Sequence, residues 1–94
     1  MARTALEIVK DALRIRHKAL DAEIERLIST ARADIIRVGV DAILAQSDDD
    51  LVIQAIVTYC LLNMSSDPEL MDKYKRAYEI QIDGLRRMSG NEGE

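Results

Sequence analysis

The segment from Leu51 to Asn63 is apolar on nearly every side when it is read as a helix. A helix without a polar face has to be covered on most of its sides by other parts of a fold. Its apolar run, residues 51–62, is twelve residues long, well short of the roughly 20 that a membrane-spanning helix needs. In a chain of 94 residues, this segment therefore predicts a central helix around which the other elements pack as one domain.

Helix start signals precede further segments with apolar periodicity. Thr4 and Glu7 have the spacing of a capping box, Asp21 is an expected N-cap, and Pro68 suits the first position of a helix. The sequence therefore predicts an all-α fold, a small bundle of four helices with one short N-terminal helix and three longer ones. The expected elements of the single domain, residues 1–94, are helix 1 over 4–14, helix 2 over 21–38, helix 3 over 50–64, helix 4 over 67–88 and a flexible tail over 89–94.

Helices 2, 3 and 4 supply the apolar residues of the expected core. These are Ile24, Leu27, Ile28, Ala31, Ile35, Ile53, Ile56, Val57, Tyr59, Cys60 and Leu70. Residues 40–47 have no clean helical period, yet they are too apolar for a freely solvated loop, so they hold either a helical turn or a surface that a partner covers. We expect this segment, helix 1 and the basic run after it to be available to neighbouring molecules.

The formal charge of −4 is unevenly distributed along the chain. Residues 1–47 hold 8 basic and 7 acidic residues (8 − 7 = +1), whereas residues 48–94 hold 5 and 10 (5 − 10 = −5). An acidic chain does not suit a protein whose main task is to coat nucleic acid, because that affinity comes from neutralising phosphates. The densest basic run is Arg14, Arg16, His17 and Lys18, where helix 1 ends. It is either a solvated linker or a contact for an acidic surface on a neighbour.

Few residues offer catalytic or metal-binding chemistry. His17 is the single histidine, and it lies among cations, where no Ser or Cys stands beside it as a nucleophile would. Cys60 is the single cysteine and lies in the apolar helix, where a thiol usually packs as a small hydrophobe. The consecutive carboxylates of residues 48–50 suit helix capping better than a cation site. We therefore expect no enzyme activity, no cofactor and no metal, and we expect a reducing, cytoplasmic compartment because no signal-peptide pattern is present.

Three segments, in their order and spacing, resemble the head-tail connector (adaptor) proteins of long-tailed bacteriophages. The segment LEIVKDALRIRHKALDAEIERLISTARADI contains that family's long "LI-x-x-AR-x-D" helix, LVIQAIVTYCLLNM contains its "AI-x-x-Y" core, and DPELMDKYKRAYEIQIDGLR contains its "KY-x-x-x-Y" stretch. The resemblance covers about residues 4–88. The chain departs from the family at Arg16 and Lys18, where acidic residues are common.

The resemblance implies a structural virion protein in the neck, at the head-tail interface, that is present in the host cytoplasm during assembly. Such a subunit forms a ring of about a dozen copies with itself, binds the portal protein above and the next neck or tail-completion protein below, and serves DNA packaging and tail assembly. DNA passes through the lumen without sequence-specific binding, and no membrane is involved. The tail, residues 89–94, is expected to help dock the portal.

The residues expected at interfaces come from the basic run, from the apolar segment 40–47 and from two tyrosines one turn apart on helix 4. They are Arg14, Arg16, His17, Lys18, Val40, Ile43, Leu44, Tyr74 and Tyr78. The tyrosines suit either the edge of the core or an interface anchor. Two other functions remain open from the residues alone, a small helical DNA-binding regulator and a generic helical scaffold.

Overall fold

The computed structural model describes residues 4–88 and contains five helices within that range. They are α1 (Ala5–Leu13), α2 (Asp21–Arg37), α3 (Ala42–Ala45), α4 (Asp50–Met64) and α5 (Pro68–Met88). The predicted all-α class is confirmed, and the single turn α3 adds a fifth helix to the four that were expected. The predicted flexible tail, residues 89–94, lies outside the described residues. Among the helices described, none combines the length and the apolar character needed to cross a membrane.

Helix α4 lies at the centre of the fold, where it packs against α1, α2 and α5. Val52, Ile56 and Cys60 on this helix are completely buried. Asp49 caps its N-terminus by accepting a hydrogen bond from the Leu51 amide at 2.9 Å. Neighbouring helices therefore cover most sides of this segment, as its lack of a polar face predicts.

Helix α1 begins at the predicted capping box and belongs to the core. The Thr4 hydroxyl accepts a hydrogen bond from the Glu7 amide at 3.1 Å, and the Glu7 carboxylate accepts one from the Thr4 amide at 2.9 Å. Val9 is completely buried. The expectation that helix 1 is left for neighbours is therefore wrong for its inner face, because that face packs on α2 and α4.

The start of α2 differs from the prediction. Leu20 is the N-cap and makes no side-chain cap, while Asp21 is the first helical residue. The Asp21 carboxylate instead pairs with the Lys10 ammonium at 2.7 Å. The carboxylate thus ties the start of α2 to α1, a tertiary partner that local capping rules do not include.

The core extends beyond the residues that were expected. Val9, Val40, Ala45, Val52, Ala55, Tyr78, Ile82 and Leu85 are also buried. Leu70, which was expected in the core, is 41% exposed. At 100° per residue Leu70 lies about 80° around α5 from Tyr78, so it falls beside the buried stripe of that helix.

Alanine substitutions at Ile56 and Leu70 are expected to separate a true core position from an edge position. Ile56→Ala removes a completely buried side chain, and we expect it to lower the free energy of unfolding by about 2–5 kcal/mol. Leu70→Ala is the matched control, and we expect a loss of about 1 kcal/mol or less. Urea unfolding followed by circular dichroism measures both, and equal losses would contradict the core described here.

Candidate functional site

The basic run lies on the exposed connection between α1 and α2. Arg14 closes α1 in the left-handed backbone region with φ of 61°, and Arg16, His17 and Lys18 are exposed. The His17 ring nitrogen Nδ1 accepts a hydrogen bond from the Ala19 amide at 3.3 Å, which is a local turn contact. These side chains are therefore available at the surface, as the sequence predicts.

A hollow opens between the end of α1 and this connection. It has a volume of about 470 Å³ and is lined by Lys10, Asp11, Arg14, Ile15 and Arg16. Ile15 is half-buried and gives the hollow an apolar element. We call these five residues the basic hollow, because cations outnumber carboxylates among them.

Residues 40–47 divide between the core and the surface. Val40 and Ala45 are buried, Leu44 is half-buried and Ile43 is 82% exposed. The Asp41 carboxylate caps α3 by accepting hydrogen bonds from the Ile43 and Leu44 amides at 3.1 and 3.2 Å. The expectation that this whole segment is left for neighbours is wrong for Val40 and Ala45, whereas Ile43 remains accessible.

Arg32 on α2 holds the connection between α3 and α4. Its Nη1 donates to the carbonyl oxygens of Ala45 and Ser47 at 3.0 and 2.6 Å, and its Nη2 pairs with the Asp48 carboxylate at 3.1 Å. The arginine side chain is only 13% exposed. Since Ala45 is the last residue of α3, its carbonyl lacks a helical partner, and the guanidinium supplies one.

The three consecutive aspartates have separate tasks. Asp48 pairs with Arg32, Asp49 caps α4, and Asp50 is the first residue of α4, where the helix dipole favours an anion. Within residues 4–88, no group of three or more His, Cys, Asp or Glu side chains is arranged to hold a metal ion.

Tyr78 lies inside the fold at the junction of three helices. Its side chain is 7% exposed, and its hydroxyl donates a hydrogen bond to the Asp34 carboxylate at 2.8 Å. Its ring lies 5.4 Å from the Tyr59 ring at an angle of 55°, a tilted geometry that aromatic pairs favour. Of the two interpretations of this tyrosine, the structure thus places it at the core, while Tyr74 is half-buried.

Asp34 connects Tyr78 to an exposed cation. Its other carboxylate oxygen accepts two hydrogen bonds from Arg37, at 3.1 Å from Nε and 2.6 Å from Nη2. The hydrogen bond to Asp34 and its charge raise the pKa of Arg37. Burial raises the pKa of Tyr78, and the Asp34 carboxylate adds to that rise. The phenol therefore stays protonated and keeps donating throughout the neutral range.

The motif residues from three separate segments meet in this network. Asp34 ends the "LI-x-x-AR-x-D" segment, Tyr59 ends "AI-x-x-Y", and Tyr78 ends "KY-x-x-x-Y". Sequence analysis did not predict the meeting of Asp34 with Tyr78, because the two are 44 positions apart and no local period relates them. These motif residues therefore join the three helices at their junction.

A groove runs beside the network, between α2 and α5. It has a volume of about 670 Å³, and Val38, Leu62 and Ile82 supply its apolar lining. Charged side chains of both signs surround it, namely Asp34, Arg37, Lys75, Glu79, Asp83 and Arg86. The groove thus combines apolar side chains with charges of both signs.

Cys60 is a buried free thiol. Burial raises its pKa from 9.0 to about 11. Because the thiolate is the reactive form, this thiol is unreactive at neutral pH, in agreement with the packing role that the sequence indicates.

These features define an all-helical protein whose described surface combines exposed charge with exposed apolar side chains. The model of the family described as phage connector protein matches residues 5–86. The match covers most of the chain, so this protein belongs to the phage connector protein family, a family of structural proteins. No curated protein and no solved structure matches the chain.

The hydrogen bond between Tyr78 and Asp34 is expected to stabilise the fold measurably. Tyr78→Phe keeps the ring and removes the donor, so we expect a loss of about 1–2 kcal/mol in the free energy of unfolding. Asp34→Asn provides the second arm of a double-mutant cycle. Urea unfolding of both single variants and the double variant measures the coupling, and strictly additive losses would contradict the network.

Burial of Cys60 and Tyr78 is expected to make the fold sensitive to alkaline pH. Each group has its pKa raised in the folded state, so the group deprotonates at a lower pH in the unfolded chain. This deprotonation stabilises the unfolded state relative to the folded state. The free energy of unfolding is therefore unaffected by these groups below about pH 9 and falls as the pH rises toward 11. The range is set by the ordinary pKa of the Cys60 thiol, 9.0, and its folded-state pKa of about 11. Unfolding of the wild type and Cys60→Ala at pH 8, 9.5 and 10.5 tests this, because the variant should lose less stability over that range.

Proposed function

We propose that this protein is a head-tail connector subunit that forms a ring beneath the portal of a phage capsid. The ring extends the DNA channel and offers an attachment surface to the next neck or tail-completion protein. Membership of the phage connector family over residues 5–86 is the observation that carries this proposal. On this proposal the working protein lies in the neck of the virion, after assembly in the host cytoplasm.

The surface chemistry of the subunit supports ring formation. A ring needs a heterologous interface, in which one patch meets a different patch on the next copy. The exposed cations Arg14, Arg16 and Lys18 lie on one connection, whereas the second half of the chain carries the excess of carboxylates. The basic patch of one copy can therefore attract the acidic half of the next.

The acidic balance of the chain also suits a conduit for DNA. Neutralisation of phosphates by Lys and Arg would hold the duplex, whereas a net charge of −4 gives little nonspecific affinity. DNA can then slide through the lumen during packaging and ejection. Arg14, Arg16 and Lys18 lie on a connection between helices, so they do not form the cationic helix face by which a regulator reads a major groove. Among the exposed cations of α5, Arg76 and Arg87 are paired with the carboxylates of Asp72 and Asp83.

Native mass measured across a concentration series, with negative-stain images of the large species, tests the proposal. We expect annuli for the wild type. Reversal of three charges, Arg14→Glu, Arg16→Glu and Lys18→Glu, should raise the concentration needed for half-assembly at least tenfold while the thermal unfolding midpoint changes little, because these side chains are exposed.

A second triple reversal on α5 is the matched control. Lys73→Glu, Lys75→Glu and Arg86→Glu make the same change in net charge at exposed positions that form no ion pair within residues 4–88 and should leave the annuli intact. Equal assembly of both triple variants would refute the role of the basic connection. A closed dimer that binds duplex DNA with a steep salt dependence would refute the connector function and favour a regulator.

A further inference from the structure

We propose that the corner between α3 and α4 docks onto the basic hollow of a neighbouring copy. We call residues 41–51 the α3–α4 corner. This inference rests on the proposed function and assigns the two surfaces that meet in its ring. The occupant of the basic hollow is thus a second copy of this chain.

The corner presents apolar side chains at the surface. Ile43 is 82% exposed and Leu51 is 48% exposed, on two consecutive helices. An isoleucine exposed to this degree gains from being covered, since removing apolar area from water contributes roughly 25 cal/mol per Å². The corner therefore has a side chain suited to insertion into a partner.

The backbone that carries Ile43 is fixed by polar contacts. Asp41 caps the turn from one side, and Arg32 binds the Ala45 and Ser47 carbonyls from the other. A surface that is already ordered loses little conformational freedom when it binds. Ile43 is thus held in place before a neighbour arrives.

The corner also carries exposed carboxylates. Asp41, Asp49 and Asp50 are exposed, and Asp48 remains 69% exposed although it pairs with Arg32. The side chains of Asp41 and Asp49 also accept backbone hydrogen bonds at helix starts. The surface of the corner therefore combines exposed apolar side chains with negative charge.

The basic hollow has the complementary character. Among residues 4–88, Arg14 and Arg16 of the hollow form no ion pair, so their charges are available to a partner. Ile15 offers an apolar contact inside the hollow. The exposed apolar and acidic side chains of the corner on one copy thus complement the cationic hollow, with its isoleucine, on the next copy.

The two surfaces lie apart on the subunit. Lys10 of the hollow pairs with Asp21 at the start of α2, whereas the corner is held by Arg32. Eleven residues separate those two positions of α2, which corresponds to about 16 Å along the helix. The surfaces are therefore distinct patches, as a head-to-tail contact that closes into a ring requires.

A charge swap across the interface tests this assignment. Arg16→Glu makes the hollow less basic, and Asp50→Lys makes the corner less acidic. Each variant alone should need at least tenfold more protein for half-assembly, as measured by sedimentation velocity. An equimolar mixture should assemble at nearly the wild-type concentration, because the altered hollow of one variant accepts the altered corner of the other.

An isoleucine pair provides a test that leaves charge unchanged. Ile43→Ser should impair assembly, whereas Ile80→Ser, at a 73% exposed position of α5, should not. Both positions are exposed, so neither change is expected to affect folding, which circular dichroism checks. This pair also keeps the docking assignment testable if Asp50→Lys weakens the start of α4.

The outcomes separate this inference from the proposed function. Wild-type annuli with unimpaired Ile43→Ser, or a mixture that fails to recover, would overturn the docking assignment and leave the connector function in place. A wild type that stays monomeric at all concentrations would also overturn the docking assignment, and binding of the monomer to a portal would then decide the function. Recovery in the mixture together with selective loss in Ile43→Ser supports the assignment.

Discussion

Burial of α4 is the constraint on which the rest of the structure depends. The helix lacks a polar face, so its apolar side chains are hidden from water only if α1, α2 and α5 all pack against it. Val9 and Leu85, from the first and last described helices, are buried for this reason. A chain of this size has little apolar material to spare, and α1 therefore contributes to the core in addition to carrying the basic connection at its end.

Helix α2 orients the elements around that core by means of two polar residues. Arg32 binds the connection that leads into α4, and Asp34 binds Tyr78 on α5. Two residues correspond to a rotation of 200° around a helix, so these side chains leave α2 on nearly opposite sides. Residues 32–34 thereby hold both the connection into α4 and helix α5 in position. A displacement of either element would break hydrogen bonds of partially buried polar groups.

Local chemistry made the helices predictable, whereas long-range partners did not follow from it. The capping box relates Thr4 to Glu7, three positions on, and the proline start of α5 depends on Pro68 alone; the structure contains both. Asp21 satisfies the same local rule, yet its carboxylate pairs with Lys10 of another helix. Leu70 likewise fits an apolar face by spacing, and its exposure depends on how α5 is rotated against α4, which no local period specifies.

Three of the residues that carry the family resemblance meet at the helix junction. Asp34, Tyr59 and Tyr78 are engaged with one another inside the helix junction, so the resemblance defines the fold and leaves the choice of partner undefined. In the proposed docking, exposed side chains such as Arg16 and Ile43 supply that choice, since they can reach a neighbour without opening the core. Arg16 is also a position at which the chain departs from the family pattern. A subunit can therefore keep the common helical scaffold while the charge of its surface adapts to its own neighbours.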